Sequence, residues 1–228
     1  MTSAVLAGST GQVGTHILTA LLASPSTTTV SAFTRRDLPH SSSPKLHPLQ
    51  STSTDAWLSL FPPNAHLFLS GLGTSKAAAG SFENQYKIDH DLNLALATAA
   101  RAAGVSTYVL ISAAGASSAS RFAYPKMKGE LEEAVTALGF KHTVIVRPGM
   151  ISGARESAGV AEVVLRGVAN GLGRVWNGLK DPWAQDPVVI ARAAVSAGLE
   201  CVEGKHGEGV WVVGMGDIVR LGRTEWKE

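Results

Sequence analysis

Val5-Leu-Ala-Gly8-Ser9-Thr10-Gly11-Gln12-Val13-Gly14 places three glycines at the first, fourth and seventh positions of a loop near the start of the chain. An apolar run from Ser3 to Ala7 leads into it. Beyond it, Val13, Ile17, Leu18, Leu21 and Leu22 mark one stripe of a helix that stops before Ser24-Pro25. In a strand, loop and helix of this order, Gly8 takes the tight turn, Gly11 lets a diphosphate approach the main chain, and Gly14 lets helix and strand close together. The first helical amides then face phosphate oxygens, which draws Ser9, Thr10, Gln12 and Val13 into the same site. A glycine-rich turn without a ligand is the plainer alternative.

Outward from this loop, short β-branched or apolar runs alternate with helical patterns, the mark of βαβ units and a parallel sheet. Strands are expected at Ser3 to Ala7, Thr28 to Phe33, Leu46 to Leu49, His66 to Leu69, Thr107 to Ser112 and Thr143 to Arg147, with a last edge strand near Val210 to Val213. The fold class is therefore α/β, a doubly wound parallel sheet. The longest helix is expected over Glu83 to Ala103, with Ile88, Leu92, Leu94, Leu96 and Ala99 inward and Gly104 as its C-terminal cap. Asp37 to Pro48, rich in Ser, Pro and His, reads as a surface loop. Asp186-Pro187 opens a further helix as cap and first residue.

Composition narrows the function. A chain of 228 residues with 45% hydrophobic residues can bury one core, and no run is long and apolar enough to span a bilayer. A net charge of +2 with 17% charged residues supplies no field for nucleic acid. The single Cys201 excludes an intramolecular disulfide, fits a reducing compartment and is expected to pack in the core. The seven histidines show no zinc-ligand spacing, so no metal is expected. The apolar run at Ala4 leaves no room for a leader ahead of it, and the cytoplasm is the expected compartment.

Two local patterns carry chemistry. At the end of the second strand, where an acidic residue would bind the ribose of NAD, the chain reads Ala32-Phe-Thr34-Arg35-Arg36, with no carboxylate before Asp37. Arg35 or Arg36, with Thr34, suits a 2′-phosphate, so NADP(H) is expected over NAD(H); two arginines opening a solvated loop are the alternative. Further along, Tyr124 and Lys128 stand four apart in Ser120-Arg-Phe-Ala-Tyr-Pro-Lys-Met-Lys128. On a helix this puts a phenol and an ammonium on one face, where the charge favours the phenolate and makes the hydroxyl a usable acid or base.

With Gln85-Tyr-Lys-Ile-Asp-His-Asp-Leu-Asn93, Ser112-Ala-Ala-Gly-Ala116 and Arg147-Pro-Gly149 added in this order, the chain resembles the short-chain dehydrogenase/reductase superfamily. Within it, the resemblance is to the compact atypical branch of the Tat-interacting oxidoreductase and its short fungal relatives. The resemblance covers most of residues 3–155 and implies a single NAD(P)-binding Rossmann domain over residues 1–228, with 154–186 as a small substrate-binding or lid region. It implies that Tyr124 is the general acid or base and that Lys128 lowers its pKa and binds the nicotinamide ribose. Gly71 and the backbone of Arg147, Pro148 and Gly149 join the cofactor site, with a simple strand-ending turn as the alternative for Pro148-Gly149; Asp89 stands where relatives place an Asn or Asp near the catalytic lysine, or is a helix-surface carboxylate.

The superfamily's substrate-binding hydroxyl falls on Ser112 in one alignment; in the other, that position has become Ala113. Val160 to Val168 suits a short helix, and Trp176 and Trp183 suit a pocket or lid, core packing or a partner surface. The reading is then an NADPH-dependent oxidoreductase of a small or medium apolar aldehyde or ketone, or of the matching alcohol. The alternatives are an NADP(H)-binding regulatory or scaffold protein and a non-redox isomerase, dehydratase or cyclase. Expected partners are that substrate and either a second copy or another protein. Some fungal relatives associate with the mitochondrial outer membrane.

Overall fold

The computed structural model describes residues 1–38, 42–152 and 183–227. Seven strands form one parallel sheet: β1 (Thr2–Ala7), β2 (Thr27–Thr34), β3 (Leu46–Gln50), β4 (Leu67–Ser70), β5 (Thr107–Ile111), β6 (His142–Val146) and β9 (Gly209–Val213). Their order is β3-β2-β1-β4-β5-β6-β9, so the chain builds outward from β1 in one direction and then, from β4, in the other. That reversal opens a crevice at the C-terminal ends of β1 and β4, the place where open α/β sheets bind ligands. Every expected strand is present, each end within two residues of its expected place. A two-stranded parallel pair, β7 (Met150–Ile151) with β8 (Ala184–Gln185), was not expected.

The sheet has two apolar faces because successive side chains of a strand point to opposite sides. One face joins Ala4, Leu6, Leu67, Leu69, Val109 and Val144 to α1 (Gly14–Ala23) and α6 (Pro187–Val202). The other joins Val5, Phe68, Tyr108 and Leu110 to α4 (Asn93–Ala102) and α5 (Ala123–Ala137). Cys201 lies in the first of these cores. In α1 the expected stripe is correct, with Leu22 partly buried at its margin.

Two helices depart from expectation. The long helix is three pieces: α3 (Phe82–Tyr86), a π-helical stretch (Lys87–Leu92) and α4. Its fully buried row runs through Gln85, Asp89, Asn93, Leu96, Ala97 and Ala100, while Ile88, Leu92, Leu94 and Ala99 are only partly buried. The wide π turn shifts the helical phase, so the polar residues face inward. Gly104 ends the helix with φ +84°, a left-handed conformation suited to glycine. Asp186 does precede α6 and Pro187 begins it, but Asp186 makes no capping bond; its carboxylate accepts from the Ser152 hydroxyl. A short helix, α2 (Lys76–Ala79), precedes α3. Another, α7 (Met215–Val219), follows β9. The expected loop after Asp37 ends at Leu46, where β3 begins. The helix expected over Val160 to Val168, Trp176 and nearly all of region 154–186 lie outside the described residues.

Candidate active site

The glycine loop joins β1 to α1 beside the crevice. Gly8 has φ +80°, and a Cβ there would stand 2.6 Å from the Gly71 carbonyl group. A Cβ at Gly14 would stand 1.9 Å from the Gly8 carbonyl oxygen. The Gly11 amide donates to that same oxygen at 2.9 Å, which closes the loop on itself. Gly71, directly after β4, packs on Gly14 and so forms the second wall.

No side chain caps α1, and the first amides of any helix lack intrahelical acceptors. The Ser9 hydroxyl is spent on the Phe33 carbonyl at 2.8 Å. Gln12 donates to the Ser152 carbonyl at 3.0 Å, yet its own buried Oε1 has no partner. An uncapped helix start and a close main-chain approach fit a dinucleotide diphosphate at this loop.

At the tip of β2, the Thr34 hydroxyl donates to the Arg36 carbonyl at 2.5 Å and accepts from the Arg36 amide at 3.2 Å. Thr34 therefore shapes the turn, while Arg35 and Arg36 reach outward as exposed cations.

Tyr124 and Lys128 lie one turn apart at the start of α5 but in different surroundings. Tyr124 is 43% exposed and lines an open cleft of about 570 Å³ with Thr74, Ser75, Lys76, Phe82 and Gln85. Lys128 is 3% exposed, and its Nζ donates to the Ile111 carbonyl at 3.0 Å. Burial pushes this ammonium below the usual lysine value, and the carboxylates of Asp89 and Glu132 oppose that shift. Asp89 is thus no surface carboxylate. It is buried, and its Oδ1 accepts from the Thr74 amide at 2.6 Å.

Ser112 bonds to α5 beyond Lys128. Its buried hydroxyl donates to Glu132, one turn beyond Lys128 and eight residues from Tyr124, about 12 Å along the helix axis. The same Glu132 carboxylate accepts from Arg147 Nε at 3.1 Å and from its second terminal nitrogen at 2.5 Å. Ser112, Glu132 and Arg147 so tie the ends of β5 and β6 to α5. Pro148 accepts from the Ala114 amide at 2.7 Å, and the Gly149 amide donates to Gln185 Oε1 at 2.7 Å. Trp183 accepts from the Met150 amide at 2.9 Å, so its main chain belongs to the β7–β8 joint. Among the described residues, no group of three His, Cys, Asp or Glu could hold a metal ion.

The sequence reasoning passed over Glu132, Gln85 and Thr74. A partial signal for Gln85 was available: Gln85, Asp89 and Asn93 recur every fourth residue, although Glu83, Asn84, Lys87, His90 and Asp91 surround them.

A doubly wound sheet with a close-packed glycine loop at its switch point defines a nucleotide-binding fold. This chain belongs to the NAD(P)H-binding family, whose model matches residues 8–171. It is 50% identical to the protein fmp52, mitochondrial, of Aspergillus clavatus over 97% of this chain and 99% of that protein. The protein of the same name from Emericella nidulans is also 50% identical, over 98% of this chain and 100% of that protein.

Among solved structures, MoeE5 in complex with UDP-glucose and NAD superimposes with a TM-score of 0.68 at 14% identity, covering 93% of this chain and 75% of that one. A short chain dehydrogenase family protein from Francisella tularensis gives a TM-score of 0.65 at 12% identity, covering 95% and 98%. These two carry the likeness of fold alone. The fungal relatives are named mitochondrial, whereas the sequence reading favoured the cytoplasm; no helix among the described residues is long and apolar enough to cross a membrane.

Proposed function

We propose that this chain is an NADPH-dependent carbonyl reductase, or alcohol dehydrogenase in reverse, acting on a small or medium apolar aldehyde or ketone. The observation that carries this reading is the division of labour on α5: Tyr124 opens to a cleft of about 570 Å³, and Lys128 is buried one turn behind it. A cleft of that volume suits a small organic molecule. Gly8 to Gly14, with Gly71, would hold the diphosphate, Arg35 and Arg36 the 2′-phosphate, and Lys128 the nicotinamide ribose. NADPH, when bound, supplies the hydride. Tyr124 gives its phenolic proton to the oxygen of the reduced carbonyl and recovers one from solvent through the open cleft. The fixed positive charge of Lys128 favours the phenolate left behind. The mitochondrial names of the fungal relatives support a setting in that organelle.

Tyr124→Phe tests the reading. It should abolish NADPH oxidation with any accepted carbonyl and leave NADPH affinity intact; full turnover by the variant refutes the acid role.

The bond between Ser112 and Glu132 favours a second reading, in which the chain binds NADP(H) with little turnover and acts through another protein. Calorimetric titration with NADPH, paired with a broad aldehyde and ketone screen, separates the two. Tight binding without turnover supports the second reading.

A further inference from the structure

With the Ser112 hydroxyl given to Glu132, the substrate oxygen needs a donor besides Tyr124. Thr74 lies in the loop after β4 and lines the same cleft as Tyr124. Both of its main-chain polar groups are held by side chains of the helix opposite. Its amide donates to Asp89 Oδ1 at 2.6 Å, and its carbonyl accepts from Gln85 Nε2 at 3.1 Å. Asp89 and Gln85 are themselves buried. Asn93 anchors the base of this arrangement, donating to the Leu72 carbonyl at 3.2 Å and the Asp89 carbonyl at 3.0 Å.

The Thr74 hydroxyl stands apart from this network. It makes no hydrogen bond among the described residues, and it is not one of the buried oxygens left without a partner. A hydroxyl that is neither engaged nor sealed, on a main chain clamped at both groups, is a preorganised donor.

We propose that Thr74 donates the second hydrogen bond to the substrate carbonyl oxygen, in the place that the Ser112 hydroxyl has left. The proposal rests on the carbonyl-reductase reading above. Thr74 keeps its proton throughout; the proton that ends on the product oxygen comes from Tyr124. As negative charge grows on that oxygen, a donor fixed in advance gains strength without reorganising.

The test uses the full chain with phenanthrenequinone and a set of aromatic aldehydes as carbonyl probes, following NADPH oxidation, and measures NADPH affinity separately by fluorescence titration. Thr74→Val preserves shape and both main-chain bonds but removes the hydroxyl, and should lower kcat roughly 100-fold, as loss of one oxyanion donor does. NADPH affinity should not change. Thr74→Ser should restore most of the rate, and Thr74→Ala, should valine disturb folding, should match the loss.

Wild-type kcat in the valine and alanine variants overturns the proposal. So does a loss confined to NADPH affinity, which would make Thr74 a cofactor ligand, or a serine variant as slow as the valine one, which would make its role structural. Failure of the underlying reading looks different: no probe is turned over by the unaltered chain, or Tyr124→Phe remains active.

Discussion

Lys128 Nζ donates to the main-chain carbonyl of Ile111 at 3.0 Å, so the buried ammonium is bound to the end of the same strand that leads into Ser112. Desolvation is the largest influence on this lysine and lowers its pKa in the folded chain. The unfolded chain therefore binds more protons between the lowered value and the ordinary one of about 10.5, and over that interval stability rises with pH. Below it the cost of burying the charge is fully present. Urea denaturation across alkaline pH should show this rise in the wild type and its reduction in Lys128→Met. A wild type whose stability contribution from Lys128 falls over the same interval would contradict the burial argument.

Arg35 and Arg36 are exposed at the tip of β2, with Thr34 fixing the turn between them and the strand. Arg35→Glu should weaken NADPH binding by about 10- to 100-fold, the range for losing a charge-assisted bond, and change NADH binding far less. Fluorescence titration with both nucleotides measures the ratio. An unchanged preference for NADPH removes Arg35 from the site.

The Ser112 hydroxyl bonds to a buried carboxylate that Arg147 also holds. Ser112→Ala should cost about 1.5–3 kcal/mol of stability, the worth of a hydrogen bond to a charged group. The urea midpoint should fall without a change in slope. A variant of undiminished stability would show that this bond contributes nothing to the fold.

Gly129, next to Lys128 on α5, has room for no side chain: a Cβ there would stand 2.2 Å from the main chain of Ser117 and Ser118. Gly129→Ala should destabilise by about 1–3 kcal/mol through overpacking, although alanine favours helix. Gly139→Ala is the contrasting case, because nothing lies within 4 Å of its Cβ and its cost comes from φ +68° alone. Thermal melts of the two compare contact with conformation.

The centre of the sheet could be read from the sequence because its strands are buried on both faces, which leaves an uninterrupted apolar run between turn residues, whereas the edge strands β3 and β9 are largely exposed. β1, β4, β5 and β6 show this directly. The glycine loop was equally plain, since a close approach leaves glycine as the residue that fits. Tyr124 and Lys128 were visible through their helical spacing. Ser112 was not settled by spacing, because its role depends on Glu132, twenty residues away and brought near by tertiary packing. Gln85 was passed over for another reason: in an ordinary helix of 3.6 residues per turn, Gln85 and Asn93 would stand about 80° apart, so the row they form with Asp89 drifts off one face.

The π-helical stretch from Lys87 to Leu92 holds that row on one side, so Gln85 and Asp89 reach Thr74 while Asn93 reaches Leu72. Winding rather than composition is then what this stretch must keep. Straightening the stretch to an ordinary α-helix of the same length would turn Gln85 by about 100° relative to Asn93 and withdraw it from the cleft. The loop after β4 would keep its sequence and lose its shape.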